Sequence, residues 1–464
     1  MAARATVAAL IVVTSIFTFF SIWSQEGFPP VRCSRPQPCV SEVVAPAQAV
    51  LPPYMALVPP AAPPPPVLTL NDSLFPAMRA PSDTWLYHNQ MTLRALFQCL
   101  GGSAVGCHEN QTKVVILSSY HFRQVLWGHV GGEDIWAKST VQALKNMGYT
   151  YLYSDSAGRT LQLYQMFPDL VKAILMEDAE TFDCFKDGEC VQGDWYNTAG
   201  LPIWKIFSFA FWVPAGHPLG HDWTLSPEDY HQEHSWYTPN TYLGYSVEPG
   251  CRKHPYIPPS QRLSPPQVFI LGKNMAYFER SNQMWKPDFY DDATKELGID
   301  FLAGAQGEPP EDFPKTVNNV GPMPQDKFFQ TIAESAILIG VGMPWTSPTP
   351  YDALCLGVPF LNPIIDWDRA DPTNRDKWSG QQGLLKDMDP PYVYNVFKGD
   401  KEGFINAIKS AMANPLGDRY ILPRMRMGAV EQRLGAILEK DWKAHAQVLL
   451  KHRQEKGEEP LFVV

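Results

Sequence analysis

No surplus of basic charge exists in this chain: 38 Lys and Arg stand against 48 Asp and Glu, a net charge of −10. Phosphate backbones are gripped by clustered cations, so a nucleic-acid partner is disfavoured. Eight cysteines (33, 39, 99, 107, 184, 190, 251 and 355) show no zinc-type spacing, and no structural zinc is expected. His217, His221, His231 and His234 cluster without clean ligand spacing and read as solvated loop residues. Charge is also missing from the whole run Ala5 to Trp23, and no good Ala-x-Ala cleavage site follows it. A cleaved signal peptide competes with an uncleaved anchor here. The length of the apolar run and the lack of a good cleavage site favour the anchor. Arg4 and the amino terminus then leave residues 1–4 in the cytosol and carry the rest across the membrane.

What is present is proline, aromatics and alternation. The 44 prolines include the run Pro63 to Pro66, and residues 24–84 read as an extended stalk between anchor and globular body. The 14 Trp and 19 Tyr suit sugar faces, although most large aromatics are core. The cysteine number is compatible with an oxidising lumen. Cys99 and Cys107, and Cys184 and Cys190, are close enough to close small loops, while Cys355 reads as a buried free thiol. Asn71-Asp-Ser73 and Asn110-Gln-Thr112 are glycosylation sequons, meaningful only in a lumenal chain.

With 464 residues there is material for two or three domains. Strands are expected at Val114–Leu117, Tyr149–Tyr153, Ala173–Met176, Trp204–Val213 and Tyr242–Val247, with an amphipathic helix over Asp134–Met147. This alternation predicts an α/β domain over residues 85–250. The proline-rich segment Pro249 to Pro266 marks a boundary. A second alternation over 267–423 has strands at Gln267–Leu271, Ile299–Leu302, Ala336–Val341, Val358–Leu361 and Tyr392–Val396. Helices are expected at Gln283–Leu297, Pro324–Ser335, Tyr351–Leu356 and Glu402–Ala413. Residues 424–464 hold one long charged helix, Arg424–Gln454, and a tail.

The segment Ala336 to Pro363 carries the sharpest local signal. A buried strand runs into a loop with Gly340, Gly342, Pro344, Pro348 and Pro350. A short helix follows, with Thr349 as its expected cap and Pro350 as its first position. Free N–H groups and a helix dipole there make an anion site, or the unit is an ordinary β-loop-α connection. This stretch resembles the nucleotide-sugar loop of glycosyltransferase family 18, the N-acetylglucosaminyltransferase V family. The matching positions are Gly340, Gly342, Pro344, Pro348, Pro350, Asp352, Ala353, Gly357, Phe360, Leu361, Asn362 and Pro363. Gly132-Glu133 with Met147-Gly148 is similar to a second family pattern. Trp223-x-Leu225-x-Pro227, Asn240-x-x-Leu243-Gly244-Tyr245 and Glu248 are similar to a third.

The resemblance implies a GT-B architecture, two Rossmann-like domains facing a cleft. It implies inverting transfer of N-acetylglucosamine from UDP-GlcNAc to the 6-hydroxyl of an N-glycan mannose, by a metal-independent hexosyltransferase without a cofactor. The layout would be a single-pass type II Golgi membrane protein with a lumenal catalytic domain. Glu133, at what reads as the first strand-to-helix loop of the first domain, would be the catalytic base; by itself it is a first-turn acid complementing a helix dipole. Lys273, Gly342, Pro344, Ser347 and Thr349 would hold the donor diphosphate, and Asp352 the ribose. Lys273 is equally a plain surface lysine. Asp366-Trp-Asp368 is an Asp-x-Asp triplet read as a solvated loop rather than a metal site. The chain departs from the family at Thr346, where the family has glutamate, and at Trp212–Ala215, where it has two. A non-catalytic lumenal sugar-binding protein on a degenerate GT-B scaffold, or a GT-B enzyme with another donor, are the alternatives.

Overall fold

The computed structural model describes residues 84–464, apart from 103–105, 130, 194–196, 212–215, 231–238 and 280. The expected cytosolic tail, anchor and stalk up to residue 83 lie outside the described residues. So do Cys33, Cys39, the Asn71 sequon, Trp212–Ala215, His231 and His234. Among the described residues no helix is long and apolar enough to cross a membrane.

Helix α1 (Trp85–Leu100) starts where the Thr84 hydroxyl accepts the Tyr87 N–H, and it buries Leu93 and Leu96. The run Val-Val-Ile-Leu forms β1 (Val114–Leu117), buried along its whole length as a central parallel strand must be. Helices α2 (Tyr120–Leu126) and α3 (Ile135–Asn146) carry the chain across to β2 (Thr150–Tyr153). Then follow α4 (Ala157–Met166), β3 (Val171–Glu177), α5 (Asp178–Lys186), β4 (Ile206–Phe209), β5 (Thr224–Ser226) and β6 (Thr241–Tyr242). Together they build a six-stranded sheet, all parallel, in the order β2-β1-β3-β4-β5-β6. The expected strand Tyr242–Val247 is cut short. The amides of Leu243 and Gly244 both turn onto the Ser226 carbonyl at 3.1 Å, and the chain leaves the sheet.

After α6 (Glu248–Cys251) and the proline-rich segment comes β7 (Gln267–Leu271). Helix α7 (Pro287–Leu297) starts later than its apolar pattern suggests, because Pro287 sets its first turn. The chain continues through β8 (Asp300–Ala303), β9 (Val317–Asn319), α8 (Gln325–Glu334), β10 (Ile337–Gly340) and α9 (Thr349–Cys355). It closes with β11 (Phe360–Asp366), β12 (Ser379–Gly380), β13 (Val393–Phe397) and α10 (Lys401–Ala413). This second sheet has seven strands, β12-β11-β10-β7-β8-β9, with β13 also on β11; only the β11–β12 pair is antiparallel.

The expected long helix is broken in two, α11 (Met427–Glu439) and α12 (Trp442–Glu455). Asp441 stops propagation by accepting the Ala444 N–H at 2.9 Å, which caps a new helix. Both pack on the first sheet's side. Glu439 accepts from Lys113 Nζ at 2.8 Å and from the Tyr149 hydroxyl at 2.6 Å, and Arg433 Nε donates to the Leu243 carbonyl at 2.8 Å. Trp442 wedges between Phe207 and Trp223. All described residues belong to one compact unit.

Disulfides join Cys99 to Cys107 and Cys184 to Cys190, with Cα atoms 5.9 and 5.2 Å apart. Cys355 is not a free thiol: it is bonded to Cys251, tying α9 to α6 across 104 residues of sequence. His217 is not a solvated histidine either. It is 3% exposed, and burial holds its imidazole down to about 3, hence neutral.

Candidate active site

Ligands of doubly wound sheets bind outside the carboxyl ends of the strands, where the strand order reverses. In the second sheet that point lies between β7 and β10, and in the first between β1 and β3. A cavity of about 670 Å³ opens there. Its walls come from the chain after β7 (Gly272, Lys273), the loop after β10 (Pro344 to Thr349), the loop before α3 (Gly131 to Glu133) and the segment Ser246 to Gly250. Of the seven residues singled out by sequence, six line this one space: Glu133, Lys273, Pro344, Ser347, Thr349 and Asp352. Glu133 and Lys273 are exposed, whereas Ser347 and Asp352 are 8% and 7% exposed. The two sides come close: a Cβ on Gly132 would lie 3.7 Å from Pro348 Cδ.

Gly342 lines no part of the cavity. Its φ of 91° is left-handed, and a Cβ there would stand 2.7 Å from Met284 Cγ, so glycine is required. Its N–H donates to Gln381 Oε1 at 2.8 Å and is not offered to a ligand. Gln381 shapes the whole loop. Its Nε2 donates to the Pro344 carbonyl at 3.1 Å, and its own carbonyl accepts the Thr346 N–H at 3.0 Å. Thr346 is thereby held at φ 53°, unfavourable for a β-branched residue by roughly 1–3 kcal/mol.

The helix start differs from expectation. Pro348, not Thr349, is the cap, and α9 has seven residues. Its first-turn amides are already engaged or absent. Ser347 Oγ accepts the Thr349 N–H at 3.3 Å, Pro350 has none, and Tyr351 N–H returns to the Pro348 carbonyl at 3.0 Å. The start of α9 therefore offers hydroxyls rather than free amides to the space, which Lys273 and Lys138 also line. Asp352 sits one turn into α9, and burial pushes its carboxyl well above the usual carboxylate range. Lys138, reaching in from α3, pulls the other way.

Glu133 lies in a loop between two helices, α2 and α3, not directly after a strand, because α2 is inserted after β1. Sequence reading missed its neighbours. Asp134 is 4% exposed and His121 is 7% exposed, and His121 Nδ1 lies 2.5 Å from Asp134 Oδ1. Burial alone would lower His121; the hydrogen bond to Asp134 and the charges of Glu177, Asp134 and Glu133 outweigh it, so the imidazole is shifted up. Asp134 is shifted down, since bonds from His121, Gly131 and His129 outweigh its burial. Asp366 and Asp368 are exposed at the end of β11 and line no part of the cavity.

The model of glycosyltransferase family 18 matches residues 213–447, just over half of the 464-residue chain. The chain belongs to glycosyltransferase family 18. The family 18 span takes in the end of the first sheet, all of the second and most of the terminal helices; Glu133 lies before it. Among curated relatives, mouse alpha-1,6-mannosylglycoprotein 6-beta-N-acetylglucosaminyltransferase B is 23% identical over 226 residues, 47% of this chain and 28% of that protein. Human alpha-1,6-mannosylglycoprotein 6-beta-N-acetylglucosaminyltransferase A is 23% identical over 244 residues, 49% and 31%. The chain thus spans under a third of the curated relatives it matches. Solved structures with similarity include the glycosyltransferase AviGT4 of avilamycin A biosynthesis, at 11% identity, covering 74% of this chain and 98% of that one, TM-score 0.36. Another is the O-GlcNAc transferase of Thermobaculum terrenum, at 12% identity, 79% and 73%, TM-score 0.36. Likeness at that level carries no argument about chemistry.

Proposed function

We propose that this family 18 chain is an inverting glycosyltransferase of GT-B architecture. It moves N-acetylglucosamine from UDP-GlcNAc to the 6-hydroxyl of an N-glycan mannose. The observation that carries the reading is the single cavity joining Glu133, from the first sheet's side, to Lys273, Ser347, Thr349 and Asp352 from the second. The names of the curated relatives suggest the transferred sugar and the linkage, and the family resemblance suggests UDP as its carrier. In the reaction the acceptor oxygen attacks the anomeric carbon while Glu133 takes its proton, and the bond from that carbon to the diphosphate breaks. The electron pair leaves with UDP, whose growing charge Lys273 and the hydroxyls of Ser347 and Thr349 stabilise, without a metal. Asp352, buried at the cavity wall, accepts from or donates to ribose hydroxyls. We place the enzyme in the Golgi membrane because the family 18 resemblance implies it, and give it a single-pass type II topology on the uncharged run Ala5 to Trp23 with Arg4 before it.

Glu133→Gln tests this. It keeps the side chain's size and removes the proton acceptor. Turnover with UDP-GlcNAc and an N-glycan acceptor is expected to fall about 10²–10⁴-fold, with UDP binding unchanged by calorimetry. A folded Glu133→Gln protein with wild-type turnover removes the mechanism. Donor binding without any transfer by the wild type supports the non-catalytic sugar-binding alternative instead.

A further inference from the structure

We propose that Asp134 is a positioning residue, folding the loop that presents Glu133 and pinning it to the ends of the first sheet's strands. This rests on Glu133 being the base. Asp134 occupies the cap position of α3, yet its carboxylate makes no cap bond to that helix. It turns back onto the preceding loop, where three donors converge on it. The Gly131 N–H reaches Oδ2 at 2.7 Å, His129 Nδ1 reaches Oδ2 at 2.8 Å, and His121 Nδ1 reaches Oδ1 at 2.5 Å. The Asp134 N–H also donates to the Gly131 carbonyl at 3.2 Å. Glu133 is therefore the third residue of a four-residue turn whose two ends are joined by main chain and side chain alike. A Cβ at residue 131 would lie 3.0 Å from Asp134 Oδ2, a tight contact that would push the carboxylate back by a few tenths of an ångström.

The far side of the network is anchored. His121 stands between Asp134 and Glu177, with its Nε2 3.7 Å from Glu177 Oε1, and the Ser119 hydroxyl donates to Glu177. Ser119 lies just beyond β1 and Glu177 ends β3, so the chain of contacts runs from the strand ends to the turn. Gly131 and Gly132 would otherwise leave Glu133 many orientations, and a proton acceptor works only within narrow geometry.

The test is steady-state kinetics of the full-length chain with UDP-GlcNAc and an N-glycan carrying a free mannose 6-hydroxyl. Asp134→Ala is expected to lower kcat about 10–100-fold while the KM for UDP-GlcNAc stays within about twofold. Adding Asp134→Ala to Glu133→Gln is expected to cost nothing further, because its effect passes through the missing base. Independent, multiplying losses in the double variant overturn the proposal, as does wild-type kcat in Asp134→Ala when Glu133→Gln is inactive. Full turnover in Glu133→Gln overturns the base assignment and this proposal with it. Where Asp134→Ala does not fold, His129→Ala decides. It sits at the exposed edge of the network, and a kcat loss of about 2–10-fold that vanishes in the Glu133→Gln background is expected; unchanged kcat overturns the proposal.

Discussion

Glu180, on α5 beneath the same strand ends, has a buried carboxyl oxygen with no hydrogen-bond partner among the described residues. Burial first, then the charge of Glu177, pushes it up to about 7, against the opposing pull of Arg123. The unfolded chain releases this proton near pH 4.5 and the folded chain near 7, so stability falls across that window as pH rises. Glu180→Gln is thus expected to raise Tm at pH 8 and leave it nearly unchanged at pH 4.5; equal shifts at both would contradict it. Residues of this kind were not legible in the sequence. Asp134 entered only as the first residue of an expected helix, because its donors stand at positions 121, 129 and 131, brought together only by the fold. Gln381 stands 39 residues from the glycine it holds. Lys273 and Asp352 could be named beforehand because the motifs around them are contiguous.

At the scale of elements, apolar runs bounded by glycine and proline were readable: Val114–Leu117 and Gln267–Leu271 fall where the pattern put them. The seven-residue α2 was not, since it gives too little periodicity and, unlike α9, has no proline to mark its start. Nor was the pairing of Cys355, because connectivity across distant cysteines leaves no local trace. The Cys251–Cys355 bond ties α9, which carries Asp352, to the end of the first half of the chain. It closes a loop of 104 residues, far longer than those of Cys99–Cys107 and Cys184–Cys190, with separations of 8 and 6. Chain-entropy arguments then assign it the largest effect. Cys355→Ala is expected to cost about 2–5 kcal/mol in denaturant unfolding, more than Cys107→Ala. The reverse order would show that the unfolded chain is not what this bond restrains.

At the scale of the whole molecule, two alternating βα series predicted two parallel sheets. What no pattern revealed was which strand ends face one another, and with them the cavity. That geometry bears on how the leaving diphosphate is neutralised. The Asp-x-Asp triplet, the one metal-site pattern noticed in the sequence, is turned elsewhere: Asp366 lies 3.9 Å from Arg369, and Asp368 Oδ1 accepts the Ala370 N–H at 2.9 Å. At the cavity itself the cation after β7 is Lys273, and Ser347 and Thr349 line the same space. An ammonium at a strand's carboxyl end can stabilise the charge that grows on a departing diphosphate. Transfer from UDP-GlcNAc is therefore expected to persist within about twofold in excess EDTA, whereas Lys273→Ala lowers kcat about 10²-fold. Loss of activity in EDTA that manganese restores, with Lys273→Ala near wild type, would move the phosphate charge from the protein's own cation to a bound ion and overturn the assignment of Lys273.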